Sequence, residues 1–205
     1  MIGILDYGLG NILAFQNIFK RVNVAVTVVS DPDELARVSK LVLPGVGAFD
    51  HAMDLFERSG LRRPVEDRVL GGDLPVIGVC VGMQMLAESS DEGVRPGLGW
   101  VPGRVLKLDG SRVAHATRLP HMGWNDVRIL AQQPLFDGLS GGWRFYFLHS
   151  YYFEAASARS VLAVADYGGE FACAVQRENV YGVQFHPEKS HHFGAMLLKN
   201  FAERA

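Results

Sequence analysis

Pro75-Val-Ile-Gly-Val-Cys80-Val-Gly-Met-Gln-Met85 opens as a strand and continues as a helix, with a cysteine at the corner between them. Residues 75–79 are apolar, with Val76, Ile77 and Val79 β-branched, which predicts a buried strand. Residues 83–88 carry a helical pattern. Gly78 and Gly82 flank Cys80 at equal distance, and a sharp strand-to-helix turn leaves no room for side chains at such positions. This is the elbow geometry of serine hydrolases with sulfur in place of oxygen. The thiol would stand at a helix N-terminus, where backbone N–H groups and the helix dipole favour the reactive thiolate. The N–H of Val81 would then help to hold an oxyanion. A buried cysteine in a tight β–α turn is the alternative reading of this motif.

Upstream, strand and helix signals alternate. Ile2 to Leu5 reads as a strand, Asn11 to Arg21 as a helix with apolar residues at 12, 15, 18 and 19, and Val24 to Val29 as a second strand. Asp31-Pro-Asp-Glu34 reads as a capped helix start. Leu41-Val-Leu43 is a third strand, ended by Pro44-Gly-Val-Gly47. Helical stretches follow over 49–57 and 63–70. Alternation at this spacing predicts an α/β fold built on a parallel sheet with helices on both faces, and such sheets carry their sites at the carboxyl ends of the strands. Downstream of Gly99 the pattern changes to short strands and Gly/Pro turns: 101–105, 144–148, 161–165, 172–175 and 181–185. These predict antiparallel strands added to the sheet. A closing amphipathic helix spans 193–201. With no repeat or linker, residues 1–205 are expected to form one domain.

Composition narrows the function. Lys and Arg number 20 against 22 Asp and Glu, so there is no basic excess for a phosphate backbone, and nucleic acid is not expected as a partner. No apolar run approaches the length of a membrane span. The opening Met1-Ile-Gly-Ile-Leu-Asp6 has no basic segment ahead of its apolar run and reads as a strand rather than a signal peptide. The 2 cysteines, Cys80 and Cys173, are expected as reduced thiols in a cytoplasmic protein. Cys173, in the middle of a strand, reads as a small buried hydrophobe.

A cysteine nucleophile needs a base, and the base needs an orienting partner. His186-Pro-Glu188 follows the strand 181–185, and Pro187 stiffens the link between imidazole and carboxylate. A solvated loop is the alternative. Pro44-Gly-Val-Gly47, also at a strand end, offers flexible backbone for a second oxyanion donor, or is simply a β–α turn. His149-Ser-Tyr151 follows another strand and would present polar groups to a small substrate. Gln84, one turn past Cys80, is within reach of the same place or is a surface residue. The group His186, Glu188, His191 and His192 invites a metal reading, but the spacing does not suit common ligand sets, and no metal or cofactor is expected.

Together, these motifs resemble the class I glutamine amidotransferases, and within them the glutaminase subunit of imidazole glycerol phosphate synthase, the HisH family. The resembling stretches are Asp6-Tyr-Gly-Leu-Gly-Asn11, Leu43-Pro-Gly-Val-Gly-Ala-Phe49, Gly78-Val-Cys-Val-Gly-Met-Gln84, Leu119-Pro-His-Met-Gly-Trp-Asn125, Phe147-Leu-His-Ser-Tyr151 and Tyr181-Gly-Val-Gln-Phe-His-Pro-Glu-Lys-Ser190. The resemblance implies a flavodoxin-like fold and a Cys80–His186–Glu188 triad. It implies an oxyanion hole at Gly47 and Val81, and glutamine contacts from Gln84, His149, Ser150 and Tyr151. It also implies a (β/α)8-barrel cyclase partner that receives the ammonia, with His121, Met122, Trp124, Asn125 and Tyr146 towards that partner. Val81, Met85, Gly99-Trp-Val-Pro102, Asn11 to Gln16 and Ser190-His-His192 resemble instead a paralogous branch that supplies ammonia to amidotransferases of surface-polysaccharide sugars.

Overall fold

The computed structural model describes residues 1–113, 119–130, 132–138 and 142–205. One sheet organises them. Its parallel half is made of β1 (Ile2–Leu5), β2 (Val26–Val29), β3 (Lys40–Gly45), β4 (Val76–Cys80) and β12 (Val180–Val183), in the order β2-β1-β3-β4-β12. Strands β1, β4 and β12 are buried along their whole length, as expected for strands covered on both faces. The helices are α1 (Ile12–Arg21), α2 (Phe49–Arg58), α3 (Arg62–Leu70), α4 (Val81–Met85) and α5 (His191–Glu203). Helix α1 packs with α5 and α2 with α4. From β1 the chain moves one way across the sheet and from β3 the other way. Right-handed crossovers therefore put α1 and the α2/α3 pair on opposite faces.

Local chemistry explains the helix boundaries. The Asn11 side chain accepts from the Ala14 N–H and caps α1, which buries Phe15, Ile18 and Phe19. Helix α2 buries Phe49, Ala52, Met53 and Phe56, one stripe at helical spacing. The predicted helix after Asp31 is a 3-10 helix, Pro32–Arg37, held by a capping box between Asp31 and Glu34.

The second half adds β5 (Ser89–Ser90), β6 (Gly103–Lys107), β7 (His121–Ile129), β8 (Trp143–His149), β9 (Tyr151–Ala155), β10 (Val161–Asp166) and β11 (Glu170–Arg177). The path continues β12-β11-β10-β7-β8 with antiparallel pairing, while β9 joins β11 to β6, and β6 joins β5. Strands β7 and β8 alternate buried and exposed residues, so one face of this ribbon is open to solvent. The sequence patterns missed β5, β7 and β9, and they placed the start of the second strand at residue 24 where pairing begins at Val26. No helix among the described residues is long and apolar enough to cross a membrane.

Candidate active site

The parallel strands all deliver their carboxyl ends to one rim of the sheet. Gly45 of β3 pairs with Cys80 of β4, and Gly182 and Val183 of β12 pair with Gly78 and Val79. The next residues of β12's chain, Gln184 to His186, therefore arrive beside Cys80. Cys80 itself is the hinge of the elbow, at φ 56° and ψ −113°, a backbone state that L residues adopt only under constraint. The constraint is close packing without side chains. A Cβ on Gly82 would lie 2.0 Å from the Leu43 carbonyl oxygen, and one on Gly45 would lie 2.2 Å from the Gly82 nitrogen. These glycines let β3 and the start of α4 touch backbone to backbone.

His186 faces the Cys80 sulfur across the site on one side, and on the other its Nδ1 lies 2.8 Å from Glu188 Oε1. Burial alone would lower the His186 pKa. The contacts with Cys80 and then Glu188 outweigh it and hold the pKa near 10. At neutral pH the imidazole is then protonated where it faces the Cys80 sulfur. Segment 186–190 is fixed by three further bonds. The His186 N–H donates to the Tyr146 carbonyl at 2.8 Å, the Ser190 hydroxyl donates to the His186 carbonyl at 2.6 Å, and the Tyr146 N–H donates to Ser190 Oγ at 3.0 Å. The last two make the buried Ser190 a clip between β8 and the base.

A cavity of about 300 Å³ opens over the sulfur, lined by Gly47, Cys80, Val81, Gln84, His149, Ser150, Tyr151 and His186. It is large enough for a small amino acid. Gly47 sits at φ +85° with nothing within 4 Å of a Cβ position, so its backbone is free to present to the cavity. Gln84 is not the surface residue that a helical glutamine usually is. It is 3% exposed, and its amide N–H donates to the Tyr151 carbonyl at 3.1 Å. Sequence reasoning assigned no part here to Gln184, Glu92, Leu148, Lys189 or Pro120. Gln184 lies against the sulfur and the other four line the cavity. All but Glu92 stood inside a quoted motif, but nothing in their spacing marked them.

His149 is buried, and a chain of hydrogen bonds settles its tautomer. A carbonyl only accepts, so the His149 nitrogen that lies 2.8 Å from the Tyr151 oxygen, Nδ1, carries the proton. Its Nε2 is then the acceptor for His121 Nδ1–H at 2.9 Å. His121 Nε2 in turn accepts from the Asn125 amide at 3.3 Å. Burial, reinforced by His121, lowers the His149 pKa to about 3, so the ring is neutral.

The five residues expected towards a partner divide between two faces. Met122, Trp124 and Tyr146 lie on the open face of the β7–β8 ribbon, where Met122 pairs with Leu148 and Trp124 with Tyr146. Met122 is 63% exposed, and Trp124 and Leu148 are each 37% exposed. His121, 3% exposed, and the half-buried Asn125 point to the other side and serve the tautomer chain. A second cavity, of about 480 Å³, lies at this end of β7 and shares Pro120 with the first.

An elbow cysteine, a paired imidazole and a carboxylate at the rim of a doubly wound sheet define a class. The family described as "Glutamine amidotransferase class-I" matches residues 4–205, and the chain belongs to it. Within that class it is 58% identical over 203 residues to "Imidazole glycerol phosphate synthase subunit HisH" of Bdellovibrio bacteriovorus, covering 99% of this chain and 100% of the relative. It is 50% identical to the protein of that name from Leptospira interrogans, covering 98% and 99%. It is 43% identical to "Imidazole glycerol phosphate synthase subunit HisH 2" of Pseudomonas aeruginosa, covering 99% of each chain. A solved structure described as "Crystal structure of glutamine amidotransferase" shares the fold at a TM-score of 0.76, with 23% identity over 98% of this chain and 97% of the other.

Proposed function

We propose that the chain is the glutaminase subunit of an imidazole glycerol phosphate synthase, working in the cytoplasm in histidine biosynthesis. Cys80 Sγ attacks the side-chain amide carbon of glutamine. The negative charge that develops on the amide oxygen is met by the N–H groups of Gly47 and Val81. His186 gives its proton to the departing nitrogen, ammonia leaves, and a γ-glutamyl thioester remains. His186, now neutral, takes a proton from water as the water attacks the thioester. Glutamate departs and the thiolate returns. Glu188 holds the imidazole in the required tautomer and stabilises its cation. Gln84, His149, Ser150 and Tyr151 hold the substrate.

The single observation that carries this reading is Cys80 on its strained elbow, at the same amino-acid-sized cavity as His186, whose other side is paired with Glu188. The open face of β7–β8, with Met122, Trp124 and Tyr146, supports a docking site for a (β/α)8-barrel cyclase. His121 and Asn125 lie beneath it. Ammonia released into water would mostly be protonated and lost as a nucleophile, so a sheltered path into that partner is required. The cyclase would use it to form imidazole glycerol phosphate and an aminoimidazole carboxamide ribotide. The test is purification from the native host together with glutamate release by wild type and Cys80→Ala. Co-purification of a cyclase barrel that raises wild-type activity, with Cys80→Ala inert, is the expected result. A sugar-modifying synthetase in its place would move the chain to the surface-polysaccharide branch, and vigorous hydrolysis of non-glutamine peptides would overturn the reading.

A further inference from the structure

Gln184 is fully buried, with no solvent-exposed surface, in the short segment between β12 and His186. A buried amide is costly unless both its ends are satisfied, and an apolar residue of equal volume would fill the space without that cost. The amide's orientation follows from its neighbours. The Tyr151 carbonyl only accepts, so the Gln84 atom that lies 3.1 Å from it is Nε2. The same Nε2 lies 3.0 Å from the Gln184 amide, so the Gln184 atom there is the oxygen, Oε1. Gln184 Nε2 is therefore the end that faces Cys80 Sγ, at 3.8 Å. The Gln184 backbone is held as well, by its N–H donating to the Cys173 carbonyl at 2.9 Å.

We propose that Gln184 is a dedicated hydrogen-bond donor to the Cys80 thiolate and that, through Gln84, it joins the nucleophile to the wall of the glutamine pocket. This rests on Cys80 being the nucleophile of the reading above. The sulfur anion then has two donors, the His186 imidazole and the Gln184 amide, which fix its direction towards the cavity and favour its ionised form. The other titratable groups around the sulfur are the Tyr7 hydroxyl, which donates to the Pro44 carbonyl at 2.6 Å, Glu188 behind His186, His149 across the cavity, and Glu92 and Lys189 at its rim. None of these supplies a neutral donor that stays fixed through the pH range. The amide does.

The test is the pH dependence of Cys80 alkylation by iodoacetamide in the full chain, with the labelled residue located by mass spectrometry because Cys173 is also a free thiol. In Gln184→Met the rate at pH 7 falls about tenfold and the midpoint of the profile moves to higher pH. Gln184→Glu, which keeps every atom position but turns a carboxylate towards the sulfur, moves it further. Glutamine kcat in the presence of the partner falls in the same order. An unchanged profile in either variant, with its circular dichroism native, overturns the proposal. Should Gln184→Met fail to fold, Gln184→Glu and Gln84→Leu, which releases the Gln184 oxygen, report on the same bond, and an unchanged midpoint in both would also end it. Failure of the underlying reading looks different: wild-type Cys80 would then resist glutamine analogues, and Cys80→Ser would keep its activity.

Discussion

His186 and Glu188 stand two residues apart in the chain, and their side chains meet at 2.8 Å while only 5% and 3% exposed. The second carboxylate oxygen, Oε2, is buried with no hydrogen-bond partner among the described residues. The carboxylate is therefore committed to a single imidazole and held in place by the Pro187 link rather than by a web of donors.

Glu188→Gln is the direct probe of that commitment. It keeps the shape but removes the charge that supports the imidazolium. Glutamine turnover should drop by about 10²–10⁴-fold with little change in KM. Because contacts with Cys80 and Glu188 hold the His186 pKa near 10 against its burial, wild-type activity should persist above neutral pH and decline as pH rises through about 10. In Glu188→Gln that upper limb should move to lower pH. A pH–rate profile with a coincident upper limb in both proteins would contradict this.

Backbone strain at Cys80 gives a stability prediction with an inverted sign. Cys80→Ala and Cys80→Gly should both lack glutaminase activity. Glycine adopts φ 56° without penalty, so Cys80→Gly should melt higher than Cys80→Ala, by about 1 kcal/mol after the entropy lost by glycine is counted. Thermal unfolding of the two variants decides it.

The glycines nearby should fail in two distinct ways. At Gly82 an added Cβ meets the Leu43 carbonyl oxygen at 2.0 Å, and backbone cannot easily yield. Gly82→Ala should lose about 3 kcal/mol or more, or not fold at all. At Gly47 there is open space but φ is +85°. Gly47→Ala should fold with a loss of about 1 kcal/mol, while kcat falls about 10²–10³-fold as an oxyanion donor turns away. Equal effects at the two positions, measured by denaturant unfolding and turnover, would rule this account out.

Acid stability should report on His149. Its folded pKa, about 3, lies below the ordinary histidine value. Its neutral form therefore stabilises the fold above about pH 6.5, and that contribution is lost as pH falls from there towards 3. His149→Asn should be less stable at neutral pH, yet lose less on acidification, the difference being on the order of a few kcal/mol. Urea midpoints at pH 7 and pH 4.5 give the comparison.

On the outer ribbon, Trp124→Ala should leave melting within about 1 kcal/mol of wild type, since Trp124 is partly exposed and its ring contacts among the described residues are a stack on His191 and an edge contact with Tyr146. Binding to a cyclase partner, followed by calorimetry, should weaken at least tenfold.

The parallel half of the fold was legible because strands buried on both faces write themselves as continuous apolar runs, and because the elbow needs glycine at set places. The antiparallel half was harder. In β7 the outward residues Met122 and Trp124 are apolar, so alternation between apolar and polar is erased where it would have marked a strand. Gly47, Cys80, Val81, His149, Ser150, Tyr151 and His186 line one cavity because each lies at or just past a strand end, and Gln84 reaches it from the helix that follows Cys80. Gln84 read as ambiguous because helical glutamines usually face solvent, and its burial is set by Tyr151 and Gln184, distant in sequence. Gln184 itself could not be picked out, because its role depends on amide orientation, which no residue pattern encodes.

Strand β12 enters the sheet between β4 and β11, although β4 is made much earlier. As the chain leaves the ribosome, the thiol and its elbow emerge long before the imidazole and carboxylate that would activate them. A chain that stops before β12 thus lacks the imidazole and carboxylate of the proposed triad. Only the docking of this last strand beside β4 completes the proposed triad.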